Sequence, residues 1–333
     1  MGLGREIAGG VSVGPWTGPA LDELVRYVGA QRSTGLRIVD HGRCVVERHW
    51  PLPDDADAAA FRAHFVHGTA SDGTLLEDVA SLQKSVVALL AAIAIDRGTL
   101  DPERAVSAYL GPGWSKASAP DEAAVSVRHL MEMNSGLSTR LVREAAPGTR
   151  FLYNTPAYAI LKPVLEAAAG RSLDAITGAW LAGPVGLTDT GWRARPVGFV
   201  DNGNPTGLVM TARDIARLGQ LVLDRGVASD GTRVVSARQL DALFARTGTN
   251  PAYGRLWWLN GSDETIDVGD DAPVRAGPYV AAAPVDLVAA RGAQDRRLFV
   301  VPSRRLVVVR TGRAAPDPGF DEAIWARLDA AMR

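Results

Sequence analysis

Ser81-Leu82-Gln83-Lys84, a serine three residues ahead of a lysine, is the spacing in this sequence best suited to covalent chemistry. On a helix, residues three apart share one face, so the hydroxyl and the ammonium meet one turn apart. A hydroxyl at a helix start also lies near free backbone N–H groups and the positive end of the helix dipole, which favour developing negative charge. A lysine whose pKa is depressed by burial lowers the cost of removing the serine proton. The chain has three lysines, Lys84, Lys116 and Lys162, among sixteen serines, so chance supplies about 0.14 such spacings. The pair alone leaves catalysis and coincidence equally open.

Tyr153-Asn154-Thr155 is the second candidate. A phenol beside a cationic lysine can relay a proton, because positive charge favours phenolate. An ordinary core tyrosine with a bonded hydroxyl is the competing reading. The histidines, His41, His49, His64, His67 and His129, follow no metal-ligand motif, so no metal is expected. There is no phosphate-binding glycine loop and no dinucleotide fingerprint, so no cofactor is expected. Cys44, the single cysteine, rules out an intrachain disulfide and reads as a small buried hydrophobe on a strand.

The elements that must hold these residues are legible in outline. Residues 82–97, LQKSVVALLAAIAIDR, are apolar almost all round, so a helix there is buried on most faces. A lysine inside it is costly without a partner or a task. Residues 35–50 read as a hairpin turning at Asp40-His41-Gly42. Residues 51–80 read as polar and irregular. Helical spacing marks 125–133, 156–169 after Pro156, and 211–226 with Thr211 as N-cap and Asp214 completing a capping-box-like start. The period then changes: 255–260, 286–292, 297–303 and 306–312 read as antiparallel strands, followed by a helix at 319–332. Strands at both ends with helices between predict an α/β (α+β) fold. Its expected parts are a discontinuous sheet domain, 1–75 plus 200–333, and a helical domain, 76–199, with the site between them.

The 333-residue chain is 47% hydrophobic and 22% charged, with a formal net charge of −1. That balance gives no reason to expect nucleic acid or an anionic membrane as partner. No long uncharged apolar stretch suggests a membrane span. Met1-Gly2-Leu3-Gly4-Arg5 opens no export-leader pattern, so a soluble cytoplasmic protein is expected, its oligomeric state left open.

With Ser–x–x–Lys and the tyrosine triad in order, the sequence resembles the serine β-lactamase and penicillin-binding-protein superfamily, closest to its class C-like esterases and amidases. SLQKSVVALL, HLMEMNSGL, PGTRFLYNTPAYAIL, GPVGLTDTGW, GLVMTARDIARLGQLVL, YGRLWWLNG and RLFVVPSRRLVVVR look like family segments in family order, over about residues 30–315. The resemblance implies Ser81 as acylated nucleophile, Lys84 as its activator and Tyr153 as proton shuttle. It places the third motif at Ala290-Arg291-Gly292-Ala293, with the N–H groups of Ala293 and Ser81 as oxyanion hole and Gly292 beside them.

Two departures stand out. Thr155 occupies the triad's amide position, for which Asn154 is the available substitute. Ala290-Arg291-Gly292 lacks the lysine and threonine that engage a substrate carboxylate, and strand alternation points Arg291 to the far face. These departures favour a small ester or amide over a β-lactam. Of Trp257 and Trp258, alternation allows one, taken as Trp258, to line the acyl pocket. Hydrolysis, acyl transfer to an alcohol or amine, and a non-catalytic binding role on the same scaffold remain the alternatives.

Overall fold

The computed structural model describes residues 16, 18–196, 203–270 and 272–333. The leader reading at residues 1–5 lies outside them.

The two ends of the chain build one six-stranded antiparallel sheet. Its order is Arg43–His49, Ser33–Asp40, Leu306–Gly312, Arg296–Val301, Val288–Gly292 and Trp258–Leu259. Every residue of Leu306–Gly312 is buried, because the strand is covered on both faces. Its first four residues, Leu306–Val309, form the continuous apolar run of such a strand, and buried Arg310 donates to the backbone carbonyls of Gln294 and Gln31. Successive side chains alternate, so Leu298 and Phe299 point to opposite sides. On the Leu298 side sits the Ala212–Leu223 helix, whose Gly219 approaches so closely that a Cβ there would lie 2.5 Å from Val307 Cγ1 and 2.8 Å from Leu298 Cδ1. On the Phe299 side sits the C-terminal Phe320–Ala331 helix, with Trp325 edge-on to Phe299 at 5.6 Å between ring centroids. The Gly18–Ala30 helix pairs with it, Tyr27 stacking on Phe320 at 6.3 Å.

Residues 51–80 are more ordered than their polarity suggested. Asp55 caps a helix at Ala56–Phe65 by accepting from the Ala58 amide at 2.6 Å. Strands Val66–Thr69 and Leu75–Asp78 follow, in a second antiparallel sheet with Thr206–Met210 and Gly191–Ala194. These strands of four or five residues are too short to establish an alternation in the sequence.

The Gln83–Asp96 helix is the central element of the helical stretch, with residues 83 to 94 all buried. Two expected helices come out shorter. The 156–169 segment divides into Thr155–Ala159 and Leu161–Ala169, since Pro163 has no N–H for the Ala159 carbonyl. The 125–133 segment is helical over Val127–Met131, and Met133 turns into the left-handed region at φ 57°. The expected 255–260 strand is reduced to Trp258–Leu259 because Leu256 has φ 60° and bonds through its amide to Met131 O at 2.9 Å. Thr211 does cap its helix, accepting from Asp214 N at 3.2 Å, while the Asp214 carboxylate turns to Asp189 N, Thr190 and Arg217. Cys44 is exposed, not buried: it lies on the outermost strand, where a register irregularity follows Ile38.

Candidate active site

Ser81 stands on a single 3₁₀ turn, Ala80–Leu82, between the Leu75–Asp78 strand and the Gln83–Asp96 helix. The turn closes through Leu82 N to Val79 O at 3.2 Å. Lys84, 1% exposed, projects back along the same face, and its Nζ donates to Ser81 Oγ at 2.9 Å. The ammonium also lies 4.9 Å from the ring centroids of both Tyr153 and Tyr158. The serine hydroxyl and the two aromatic faces are the partners this buried lysine has in place of water. The third lysine is otherwise engaged: Lys162 Nζ bonds Asn204 and, at 2.8 and 2.9 Å, Thr206.

Tyr153 reaches the site from the segment before the Thr155–Ala159 helix. Leu152 N donates to Met133 O at 2.8 Å, which fixes that segment against the end of the Val127–Met131 helix. Asn154 is turned inward. Its amide oxygen caps the helix at Ala157 N, 3.0 Å, and its amide nitrogen bonds Leu137 O at 2.8 Å and Ser138 O at 2.9 Å. With both ends of the amide used this way and 1% of the residue exposed, Asn154 does not substitute for the missing triad amide. Thr155 is a buried first-turn residue of the same helix.

The sheet supplies the opposite wall. A Cβ on Gly292 would lie 2.3 Å from Val79 O and 3.3 Å from Leu82 N, so only a residue without a side chain lets this strand end against the serine turn. Ala293 follows directly and begins a tight connection in which Gln294 and Asp295 both adopt positive φ, 63° and 53°. Trp258 stacks on Tyr153 at 6.0 Å and 24°, while Trp257 points away and meets Phe244 edge-on.

Arg291 departs from the expectation of a far-face residue. Its guanidinium lies 4.6 Å from the Trp258 ring and 4.8 Å from the Tyr279 ring, and it pairs with Asp267 at 3.0 Å. The register places Ala289 opposite Trp258. Arg291, two residues on, shares the face of Ala289, and its long side chain folds back over the indole. Burial disfavours its charge, but Tyr279 and Asp267 outweigh it and raise the Arg291 pKa. Burial pushes the Asp267 carboxyl upward, yet Arg291 holds it below its ordinary value, so the pair is ionised. Tyr253, edge-on to both Tyr153 and Trp258, is kept a neutral phenol by burial and by Tyr153 beside it. Lysine, tyrosine, tryptophan and arginine thus form one continuous column.

A model of the β-lactamase family matches residues 21–332. The chain belongs to the β-lactamase family. Its place is in the β-lactamase-like serine hydrolase superfamily. Penicillin-binding protein 4 of Amycolatopsis lactamdurans is 28% identical over 203 residues, 47% of this chain and 53% of that protein, so the match spans about half of the relative. A β-lactamase from Mycobacterium bovis superposes with a TM-score of 0.65 at 17% identity, covering 94% of this chain and 98% of the other. EstCE1, a hydrolase with promiscuous acyltransferase activity, superposes at 0.62 with 16% identity over 94% and 98%. At these identities the superpositions establish the mixed α/β fold with antiparallel sheets.

Several residues around the serine turn were not singled out from sequence. Arg195 pairs with Asp78 through Nε at 2.7 Å, and Arg296 with Glu77 at 3.0 Å, all four being buried. Arg296 also donates to Ala293 O at 2.9 Å. The available signal was the adjacent acidic pair Glu77-Asp78 just ahead of Ser81, inside the stretch read as polar and irregular. Among the described residues, no group of three or more His, Cys, Asp or Glu side chains could hold a metal ion. Among them, too, no helix is long and apolar enough to cross a membrane.

Proposed function

We propose that this protein is a serine hydrolase that forms an acyl-enzyme at Ser81 with a small ester or amide. The observation that carries the reading is the 2.9 Å contact from buried Lys84 Nζ to Ser81 Oγ beside the Tyr153 ring. In the first step Ser81 Oγ bonds to the acyl carbon and its proton passes to Tyr153, acting as a phenolate favoured by the Lys84 ammonium beside it. The bond to the leaving alcohol or amine breaks, and that group departs with the proton. The amides of Ser81 and Ala293 receive the oxyanion, a role supported by the seating of Gly292 on the serine turn. Water activated by the same pair then attacks the ester carbon and frees the acid and Ser81.

Transfer of the acyl group to an alcohol or amine uses the same first half-reaction. The superposition with EstCE1, a hydrolase with promiscuous acyltransferase activity, favours it as a second reading. A β-lactam fits the site less well, because Arg291 is already engaged by Asp267 and the triad amide is absent.

A fluorophosphonate probe followed by intact mass tests the proposal. One adduct in the wild type and none in Ser81→Ala is expected. A wild type left unlabelled would favour a binding role, and labelling that persists in Ser81→Ala would remove Ser81 from the mechanism. Turnover of p-nitrophenyl esters exceeding that of a chromogenic cephalosporin by on the order of 10² supports the substrate class. Added alcohols or amines that divert the acyl product identify transfer.

A further inference from the structure

The residue just ahead of the nucleophile has an unfavourable backbone. Ala80 has φ 50°, the left-handed region that residues with a side chain occupy sparsely. Something must hold it there, since relaxation of Ala80 would swing Ser81 away from Lys84.

The grip comes from Asp78. Its Oδ1 accepts from Ala80 N at 2.8 Å. The same carboxylate takes two bonds from Arg195, Nε to Oδ2 at 2.7 Å and Nη2 to Oδ1 at 3.1 Å, with both side chains 3% exposed. The second sheet is shaped around this carboxylate. A Cβ on Gly207 would lie 2.0 Å from Asp78 Oδ2, so the strand has no side chain where the carboxylate sits. Arg195 is itself anchored, its Nη1 donating to Asn204 O at 3.1 Å and its backbone amide to Pro205 O at 2.9 Å. A buried ion pair adds little net stability by itself, and this one is aimed at a single strained amide.

We infer that Asp78, locked by Arg195, is a positioning residue that keeps Ala80 left-handed and thereby presents Ser81 Oγ to Lys84. The inference rests on the acyl-transfer reading of Ser81. Asp78 acts through Ala80, and its carboxylate oxygens are taken up by that amide and by Arg195.

Glycine adopts the left-handed region at no steric cost, which supplies the test. Asp78→Asn, Ala80→Gly and the double variant are compared by the rate of fluorophosphonate modification, by kcat and KM on a p-nitrophenyl ester, and by hydrogen exchange of the residue 80 amide. Asp78→Asn is expected to lower acylation and kcat on the order of tenfold or more, with KM little changed and the amide exchanging faster. Adding Ala80→Gly should recover most of that loss, to near the rate of Ala80→Gly alone. Normal acylation in Asp78→Asn, or a loss that glycine does not recover, overturns the inference. If Asp78→Asn does not fold, Asp78→Asn with Arg195→Met removes the unpaired charge and is compared with and without Ala80→Gly. Failure of both to fold overturns the inference, leaving the pair a structural role. An unlabelled wild type sinks the acyl-transfer reading instead. Amide exchange then decides whether Asp78 holds Ala80, and unchanged protection in the Asp78 variants overturns that as well.

Discussion

Gly292 and Val79 meet backbone to backbone: a Cβ at Gly292 would lie 2.3 Å from the Val79 carbonyl oxygen. One belongs to the C-terminal sheet and the other to the turn that carries Ser81, so their contact fixes the distance between the two walls of the site. Gly292→Ala must push these walls apart. A misplacement near 1 Å costs about 10² in rate, and that loss is expected in fluorophosphonate labelling of Ser81. Labelling within about threefold of wild type would mean that the contact does not set the site.

Lys84 and Tyr153 are expected to act as a unit on the serine proton. Lys84→Ala and Tyr153→Phe should each lower the acylation rate by on the order of 10² or more, measured by stopped-flow with an activated ester. The double variant should lose much less than the product of the two. A near-normal rate in either single variant would remove that residue from proton transfer.

Trp258 supports Tyr153 on one face and Arg291 on the other. Trp258→Ala leaves a cavity between them, with an expected cost of about 3–5 kcal/mol in chemical denaturation. Trp258→Phe keeps an aromatic face and should cost less than half as much. Equal costs for the two would argue that the stack is not what stabilises the column.

Acid sensitivity is expected from His129. Its Nδ1 accepts from Ser126 N at 3.1 Å in a capping box, which requires a neutral imidazole nitrogen. Burial, helped by Arg128, lowers its pKa below the ordinary 6.5. Above that pH the ring is neutral in folded and unfolded chains alike and contributes nothing to the pH dependence. As pH falls below 6.5 the unfolded chain binds the proton first, so stability declines until the folded ring also titrates. The slope is at most about 1.4 kcal/mol per pH unit. His129→Gln keeps a capping side chain without a titrating group, and its melting temperature should fall less from pH 7 to pH 5 than the wild type's.

The contact between Ser81 and Lys84 was legible because it is local. A three-residue spacing on a helix puts two side chains on one face whatever the rest of the chain does, and an all-round apolar helix is buried wherever it packs. The apolar run Leu306–Val309 is local in the same way and marks a strand wherever it pairs. The tertiary structure alone decided the rest. Asn154 had the right chemistry for the site and became a helix cap, because its amide found Leu137 O, Ser138 O and Ala157 N first. Arg291 was assigned to the far face by alternation, yet a long flexible side chain follows the nearest aromatic surface and counter-charge, here Trp258, Tyr279 and Asp267. Glu77 and Asp78 lie in a stretch that reads only as polar and irregular, since their partners Arg296 and Arg195 are more than a hundred residues away. Periodicity reports which face of an element is buried, whereas the partner a polar group meets there depends on long-range packing.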